Sequence, residues 1–454
     1  MKILNLYSGI GGNRKLWGNN HEITAVELND LPNYITEFTQ MMTNFGQDAV
    51  YYAHAGAGEL HLRPILNLKK SEDIILFRTI TSAVAKLVKK YKGSLSGEHG
   101  DGIVRGEYIE FMIGEKNYQL LKRIKSVFDP NNIFNKGKIV DAFSMDKNLR
   151  YEIDRKEPYI ETIQDFTDSL GILRVAEKCN GSGDCRKPIS AGGTMCPSYR
   201  ATKNEIDTTR ARANALREFL TNSDKVNKFN YKELKDVFDL CLSCKACASE
   251  CPSNVDIAAL KAEFLYQYQK DNKPSFRTKL FAENVKYNKL GSVAPFLTNI
   301  ILNNGLVKKT IGIATERSIP KLYKTTLRKW YKRNFKRLHN QQFKNGSVYL
   351  FCDEFTNYYD VKIGIDAAEL LAKLGYKVLM QAHEESGRSA ISKGFLDKAK
   401  VVIDKNIAVF KDLISEKTPL IGIEPSAILG FRDEYLRLAN DKISAAKISK
   451  HTFT

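Results

Sequence analysis

"CLSCKACASECP", residues 241–252, is the stretch that decides how this chain is built. Its four cysteines follow the spacing C-x2-C-x2-C-x3-C-P, and they are Cys241, Cys244, Cys247 and Cys251. Three thiolates at that spacing can wrap one corner of a cubane iron–sulfur cluster, while the fourth turns away toward another cluster. A zinc site or four unrelated buried cysteines are the alternatives. The spacing therefore favours an iron–sulfur module.

A second, less regular cysteine group precedes it in "CNGSGDCRKPISAGGTMCPSY". Cys179 and Cys185 are separated like the first and third members of the same run, and Ser182 stands where the second would be. Cys196 is followed by Pro197, as the fourth member would be. A zinc knuckle is the alternative interpretation of this group.

If the last cysteine of each group binds the cluster held by the other group, the two groups together predict two clusters. One cluster takes Cys196 with Cys241, Cys244 and Cys247. The other takes Cys179, Cys185 and Cys251, with Ser182, water or nothing in the fourth position. Because a three-cysteine site holds either a three-iron cluster or a four-iron cluster with one labile iron, we expect about two 4Fe-4S clusters, the second with a 3Fe-4S form.

Composition sets the broad class of the chain. It has 454 residues, 43% of them hydrophobic, which suits about three packed domains. Seven of the eight cysteines fall between Cys179 and Cys251, which argues for metal ligation over disulfides in a reducing compartment. No apolar run is long enough for a membrane span and the N-terminus lacks a signal pattern, so we expect a cytoplasmic location.

The patterning predicts an α+β chain with five segments. A glycine-rich head, residues 1–30, precedes a mixed helix and strand region, residues 31–142. Residues 165–275 are predicted to be all helical, and residues 276–345 to form a basic helical linker. From residue 346 to 454 the pattern becomes alternating strand and helix, which predicts a partial α/β domain.

A constellation of histidines and glycines lies in the mixed region. "HAGAGELHLRP" places His54 and His61 across a glycine bend, and "SGEHGDG" supplies Glu98 and His99. Two imidazoles and a carboxylate suit a divalent metal, and a histidine beside them suits a base at neutral pH. The alternative is that these are loop histidines with ordinary hydrogen-bond partners.

These stretches, together with "FDPNNIFNKGKIVD", resemble the C-terminal half of FAD-linked oxidases of the D-lactate, glycolate and D-2-hydroxyglutarate dehydrogenase kind. Residues 165–275 resemble the helical ferredoxin module that follows in fused proteins of this kind. Residues 346–454 resemble the start of their cysteine-rich domain, but "HEESGRSAISKG" has Glu385 and Ser386 where paired cysteines often stand, so we assign no cluster there.

The resemblance implies that FAD oxidises a 2-hydroxy acid and that electrons pass through clusters to a quinone or a carrier protein. It implies that His54, His61 and Glu98 are metal ligands, that His99 takes the hydroxyl proton, and that Asn135 lies near the flavin. The common motif has Asp and Asn where this chain has Ala57 and Glu59, which weakens the metal assignment. The family's flavin-binding domain is expected before residue 31, which the head does not resemble. A non-catalytic iron–sulfur carrier is therefore the competing class.

The head has its own resemblance. "ILNLYSGIGG" followed by "EITAVELN" is similar to the first S-adenosylmethionine motif of DNA methyltransferases, which would give Gly9, Gly11 and Glu27 a cofactor role. No cysteine follows a proline, so the cytosine nucleophile motif is absent and a methyltransferase is the third function class. Either a methyltransferase fragment joins the chain near Asn29, or the head supplies a divergent edge to the oxidase domain.

Residues 321–345 contain no acid, and Trp330, Tyr331 and Phe335 interleave with their basic side chains. The chain as a whole carries a net charge of +18. The functional interpretation is peripheral docking on the inner face of an anionic membrane. A solvated linker is the alternative, and nucleic-acid binding is not favoured because no recognisable fold accompanies the charge.

Overall fold

A computed structural model describes residues 22–97, 99–340 and 342–454, which form two compact units. The first unit runs to Pro158 and also includes Lys178–Lys187 and Ser249–Asn254. The second consists of Tyr159–Glu177, Pro188–Ala248 and Val255–Thr454. After Pro158 the chain therefore returns to the first unit twice, each time at a cysteine group. The division into five segments stays a prediction.

The first unit has a three-stranded antiparallel sheet in the order β1-β3-β2, formed by β1 (Glu22–Ala25), β2 (Ala49–His54) and β3 (Glu59–Pro64). Its helices are α1 (Leu31–Asn44), α2 (Ser71–Lys90), α3 (Ile109–Ile113) and α4 (Glu115–Phe128). Helix α1 has Pro32 in its first turn, as predicted. The apolar residues of α2 recur at helical spacing and are buried against the sheet side of the core, among them Ile74, Phe77, Val84 and Val88.

Strand β1 lies ahead of the junction expected near Asn29. It pairs with β3 in the register Glu22↔Leu62 to Ala25↔Glu59. Thr24 is buried and its hydroxyl lies 2.9 Å from that of Tyr34 on α1. The part of the head that the structure describes is therefore an integral edge of this domain, which favours the second interpretation of the head.

Every regular element across residues 165–275 is a helix, as predicted. These helices are α5 (Ile172–Glu177), α6 (Pro197–Thr202), α7 (Thr209–Asn222), α8 (Lys232–Asp239), α9 (Ala246–Glu250) and α10 (Ile257–Asp271). The following segment contains α11 (Phe276–Ala282), α12 (Asn284–Gly291), α13 (Pro295–Asn303), α14 (Gly305–Thr310) and α15 (Leu327–Leu338).

The C-terminal region is built on a parallel sheet in the order β5-β4-β6-β7, with β4 (Ser347–Phe351), β5 (Lys377–Leu379), β6 (Leu420–Gly422) and β7 (Thr452–Phe453). Its helices are α16 (Glu354–Tyr358), α17 (Val361–Lys373), α18 (Arg388–Ser392), α19 (Leu396–Phe410), α20 (Pro425–Ile428), α21 (Glu434–Leu438) and α22 (Lys442–Lys450). Helix α17 ends as predicted before Gly375, whose φ of 87° only glycine adopts readily.

Helix α15, which carries much of the basic stretch, belongs to this α/β region. Its apolar side chains Leu327, Tyr331 and Leu338 are buried in the cores beside β4. Arg328 is partly buried and donates to the carbonyl of His383 at 2.8 Å, whereas the other lysines and arginines of α15 face outward from a folded layer.

The packing of α2 leads to a matched test of the first core. Phe77 is buried and Ile75, on the same helix, is 69% exposed. We expect Phe77→Ala to lower the free energy of unfolding by about 3–5 kcal/mol, because it leaves a cavity in the core. Ile75→Ala should change it by less than about 0.5 kcal/mol. Urea unfolding followed by circular dichroism measures both, and equal effects would contradict the assigned helix face.

Candidate functional site

The cysteines divide between the two units. Cys179, Cys185 and Cys251 lie in segments of the first unit, and Cys196, Cys241, Cys244 and Cys247 lie in the second. The division coincides with the two ligand sets obtained by exchanging the fourth ligands, and those sets stay a prediction.

The loop that carries Cys241 to Cys247 has an unusual backbone. Ser243 and Lys245 both adopt left-handed conformations, with φ of 54° and 63°. Non-glycine residues seldom adopt this conformation, which costs free energy and is found mainly at functional sites. Left-handed residues alternating along a loop turn successive N–H groups inward, as in the concave anion sites that hold phosphates and iron–sulfur clusters. The loop therefore fits a cluster.

Two thiols of the second unit, those of Cys196 and Cys247, are buried where a bare thiolate is unfavourable. Burial raises the pKa of Cys247 to about 12, and the charges of Asp256 and Cys241 add to the effect. Burial also raises the pKa of Cys196, against the hydrogen bonds from Thr209. Coordination to iron removes this penalty, because the thiol releases its proton to solvent and the positive metal compensates the charge of the thiolate sulfur. The donor set therefore fits a metal cluster better than free thiolates.

One buried cation and one partly buried cation lie beside these cysteines. Lys261 donates from Nζ to the carbonyl of Cys241 at 2.6 Å, and burial lowers the pKa of Lys261. Arg212 is 2% exposed, and its charge acts on the Cys196 thiol to lower the pKa of that group. A cluster with four thiolate ligands carries negative charge, so both cations would stabilise it.

Lys245 fastens the cysteine loop to the C-terminal region of the same unit. It pairs with Glu434 at 3.3 Å, with Asp256 at 3.7 Å and with Asp433. Burial acts to lower the pKa of Lys245, but the charges of these carboxylates raise it above its usual value. Arg388 also bonds Glu434, at 2.7 Å, and donates to the carbonyl of Ser243 at 3.0 Å. Sequence reasoning missed this network because its members are far apart along the chain.

The cysteine group of the first unit is equally buried. Cys179 and Cys185 are buried, and Gly181 and Gly183 between them have φ of 79° and 80°. Ser182 is partly exposed, and its N–H donates to the side chain of Asn180 at 3.1 Å.

Ser253, two residues after Cys251, lies in a segment of the same unit. Its hydroxyl is buried and has no hydrogen-bond partner among the described residues. An unpartnered buried hydroxyl beside a cysteine is the kind of donor that a cluster sulfur accepts from. This group therefore also fits an iron–sulfur cluster.

The histidines of the first unit lie on one face of β2 and β3. Tyr52 is opposite His61 in the strand register, and their rings stack with centroids 4.2 Å apart. The rings of His54 and His61 lie edge to face at 5.4 Å, and Arg63 lies over the ring of Tyr52 at 4.3 Å. His61 is buried whereas His54 is exposed. The structure therefore brings the two predicted metal ligands together.

The loop that carries His99 lies near the same end of the sheet. Ala25 of β1 exchanges backbone hydrogen bonds with Ser94, and the N–H of Val26 donates to the carbonyl of Gly58 in the β2–β3 turn. Buried Arg105 donates to the carbonyls of Leu95, at 3.1 Å, and of Gly100, so it braces the loop on both sides of His99. His99 itself is exposed. Glu98 lies outside the described residues.

Asn135 and the head residues have simpler settings. Asn135 is exposed in a loop that Asp129 organises, and its φ is 46°. Glu27 is exposed just before a short 3-10 helix, and Gly9 and Gly11 lie outside the described residues.

Within the residues that the structure describes, no three His, Cys, Asp or Glu side chains are close enough to hold a single metal ion. A cubane cluster holds its cysteine sulfurs farther apart than one ion does.

A buried polar cluster follows β4. The backbone N–H of Cys352 donates to Nε2 of His383 at 3.1 Å, and burial lowers the pKa of His383 to about 3. Ser386 donates to Glu354 through its N–H, at 2.9 Å, and its hydroxyl, at 2.7 Å. Ser386 thus satisfies a buried carboxyl group whose pKa burial raises to about 7.

Comparisons with known proteins define the class of the chain. Residues 8–139 match the family of FAD linked oxidases, C-terminal domain, and residues 175–255 match the 4Fe-4S dicluster domain. The chain therefore carries a flavin-linked oxidase domain and an iron–sulfur domain, whose cofactors are FAD and 4Fe-4S clusters. The first match begins within the head, which again favours its interpretation as part of the oxidase domain.

Whole-chain relatives are more specific. The chain is 30% identical over 91% of its length to the D-2-hydroxyglutarate dehydrogenase of Escherichia coli, and 29% identical over 93% to that of Haemophilus influenzae. A D-lactate dehydrogenase of Archaeoglobus fulgidus is 32% identical over 24% of the chain and 23% of its own length. The chain spans 45% of the length of the two dehydrogenases from Escherichia coli and Haemophilus influenzae, and they are its homologues.

The cysteine sets lead to a test of cluster content. After anaerobic reconstitution we expect about two clusters per chain, and Ser182→Cys should convert any three-iron signal in electron paramagnetic resonance to a four-iron one. Cys179→Ala should lower the iron and sulfide content, whereas Cys352→Ala, outside both sets, should leave it unchanged. A single cluster that Cys179→Ala does not affect would rule out the exchanged ligand sets.

The Lys245 network leads to a test of loop attachment. Lys245→Met leaves the carboxylates of Asp256, Asp433 and Glu434 with less compensating charge, so we expect a loss of about 3–5 kcal/mol in unfolding free energy. Lys232→Met removes an exposed pair with Asp236 and should cost no more than about 0.5 kcal/mol. Both are measured by urea unfolding of the cluster-free protein. Equal losses would show that the buried network does not hold the loop.

Proposed function

We propose that this chain is the iron–sulfur and substrate-side part of an FAD-linked dehydrogenase that oxidises a 2-hydroxy acid of the lactate, glycolate or 2-hydroxyglutarate class. Electrons would pass through two clusters to a quinone or a carrier protein. The observation that carries the proposal is the likeness to D-2-hydroxyglutarate dehydrogenases along more than nine-tenths of the chain. The proposed setting is the cytoplasm, with contact at the inner face of the membrane.

The residues that would act on the substrate lie in the first unit. FAD, when bound, accepts a hydride from the hydroxyl-bearing carbon of the substrate. His54 and His61, with Glu98, would hold a divalent metal that polarises the hydroxyl or the carboxylate of the substrate. His99 would take the hydroxyl proton, and its exposure on a braced loop suits access to a small acid. Asn135 would lie beside the flavin.

The first unit also exposes apolar surface that suits a covering flavin-binding domain. Strand β2 is an edge strand, and Val50, Tyr51 and Tyr52 on it are each about 40% exposed or more. Val127 and Phe128 at the end of α4 are more than 70% exposed. Apolar edges of this kind usually have a partner. These residues support the proposal that FAD is held between this unit and a further domain.

A non-catalytic iron–sulfur carrier is the second candidate. It is favoured because the cysteines supply four ligands for one cluster and three for another, while the diphosphate of FAD has no assigned donors among the described residues. A buried diphosphate without donors costs several kcal/mol. The two candidates differ in flavin content and in substrate-dependent electron flow.

The 454-residue chain by itself should therefore retain no stoichiometric FAD after desalting, and it should reduce no dye with D-lactate, glycolate or D-2-hydroxyglutarate. The complete product of its gene, purified from the source organism, should show flavin bands that bleach with one of these acids. In that protein His99→Ala should lower dye reduction at least about a hundredfold, since general base catalysis contributes that much.

His451→Ala, in the C-terminal region, is the matched control and should leave dye reduction unchanged. A complete product with clusters but without flavin would replace the dehydrogenase by the carrier. One equivalent of flavin retained by the 454-residue chain, with activity lost in His99→Ala, would show that no further domain is needed.

A further inference from the structure

Helix α13 exposes its apolar face to solvent. Phe296, Leu297, Ile300 and Ile301 are between 56% and 76% exposed. At 3.6 residues per turn these four positions lie within about 140° of the helix circumference, so they form one continuous apolar face. A helix on the surface of a folded protein normally turns such a face toward the core.

The polar side chains of α13 face the protein instead. Asn299 donates to the carbonyl of Leu322 at 2.9 Å and accepts from the N–H of Leu322 at 2.8 Å. Thr298 donates to the carbonyl of Gly291 at 3.0 Å, and Asn303 accepts from the N–H of Ile319 at 3.3 Å. These bonds fix the orientation of the helix, so the exposure of its apolar face is a property of the fold.

The exposed surface extends beyond α13. Leu290, Val293 and Leu306 are each more than 70% exposed. They belong to the run "LGSVAPFLTNIILNNGLV", residues 290–307, in which no residue is charged. An exposed apolar run of this length marks an interaction site. We call the exposed side chains of residues 290–306 the apolar face.

Positive charge surrounds the apolar face. Lys286 and Lys289 precede it, Lys309 follows it, and all three are exposed. From residue 284 to 352 the sequence has fourteen Lys and Arg residues and one acid, Glu316. Because Asn299 is bonded to Leu322, the apolar face is tied to the segment that leads into the basic helix α15.

We propose that the apolar face is the part of this protein that inserts into the interface of an anionic lipid bilayer, with the surrounding lysines and arginines on the lipid headgroups. An apolar helix face flanked by lysines is typical of segments that lie in the plane of a membrane surface. Each lysine or arginine near an anionic surface adds to the attraction. No helix among the described residues is long and apolar enough to cross a bilayer, so the contact is with one surface.

The proposal goes beyond the proposed reaction and does not depend on it. It assigns the main apolar contact to α13 and an electrostatic role to α15. Three apolar residues of α15, Leu327, Tyr331 and Leu338, are buried in the fold, and Phe335 is 42% exposed. The basic helix alone would give weak binding that salt abolishes.

The test is flotation of the 454-residue chain with vesicles of phosphatidylcholine, with and without phosphatidylglycerol, at low and high salt. We expect binding to the anionic vesicles that weakens with salt, and an approximately tenfold or larger drop in the partition coefficient for Ile300→Asn/Ile301→Asn. The matched control is Ile443→Asn on α22, where Ile443 is 85% exposed, and it should bind like the original chain. Circular dichroism and thermal unfolding confirm that both variants are folded.

A second measurement reports insertion directly. Tryptophan emission from Phe296→Trp should shift to shorter wavelength and be quenched by brominated lipid, whereas Ile443→Trp should show neither change. Equal binding to neutral and anionic vesicles, or binding that Ile300→Asn/Ile301→Asn does not reduce, would overturn the proposal. A chain that does not bind vesicles would also overturn it. In that case the apolar face would be covered by a second copy of the chain, in a dimer that the double variant dissociates in sedimentation, or by another protein.

Discussion

The carboxylate of Glu434 links the cysteine loop of the second unit to the C-terminal region of that unit. It accepts from Lys245, within the cysteine loop, and from Arg388, at the start of α18. Arg388 in turn donates to the carbonyl of Ser243 in the same loop. Because a buried charge is tolerated only when it is paired, none of these groups can move independently of the others. The ion network therefore joins the helical cysteine region and the parallel sheet region into one compact unit.

The same constraint explains how cysteines can be presented to a cluster. The left-handed backbone at Ser243 and Lys245 is costly, and it persists only where the surroundings hold it in place. Partly buried Lys261 adds positive charge at the backbone of Cys241, and buried Arg212 adds it near the thiol of Cys196. Cluster assembly would satisfy this arrangement, since binding of metal by preorganised thiols is coupled to the stability of the fold.

Two exposed apolar surfaces have different physical origins. Strand β2 is exposed because it lies at the edge of a three-stranded sheet, where one side has no neighbouring strand in the part of the chain that the structure describes. Helix α13 is exposed because its asparagine side chains are bonded to the backbone of Ile319 and Leu322. The first surface suits a protein domain that adds to an edge. The second, rimmed by lysines and with no acid in the sequence between Glu283 and Glu316, suits lipid.

Local sequence determined the features that depend on neighbouring residues. The cysteine spacing, the helix periodicity of residues 165–275 and the βα pattern after residue 346 each specify a local geometry, and the structure has these elements. The pairing of His54 with His61 also follows from a short hairpin, since strand register places residues on one face of β2 and β3.

Tertiary structure alone decided which distant groups meet. Lys245 and Glu434 are 189 residues apart, and no local pattern distinguishes them from other surface charges. The direction in which α13 faces was likewise invisible, because its apolar positions have ordinary helical spacing and only its bonds to Leu322 reverse it. Periodicity reports that a helix has an apolar face, whereas packing against the rest of the chain decides whether that face is buried.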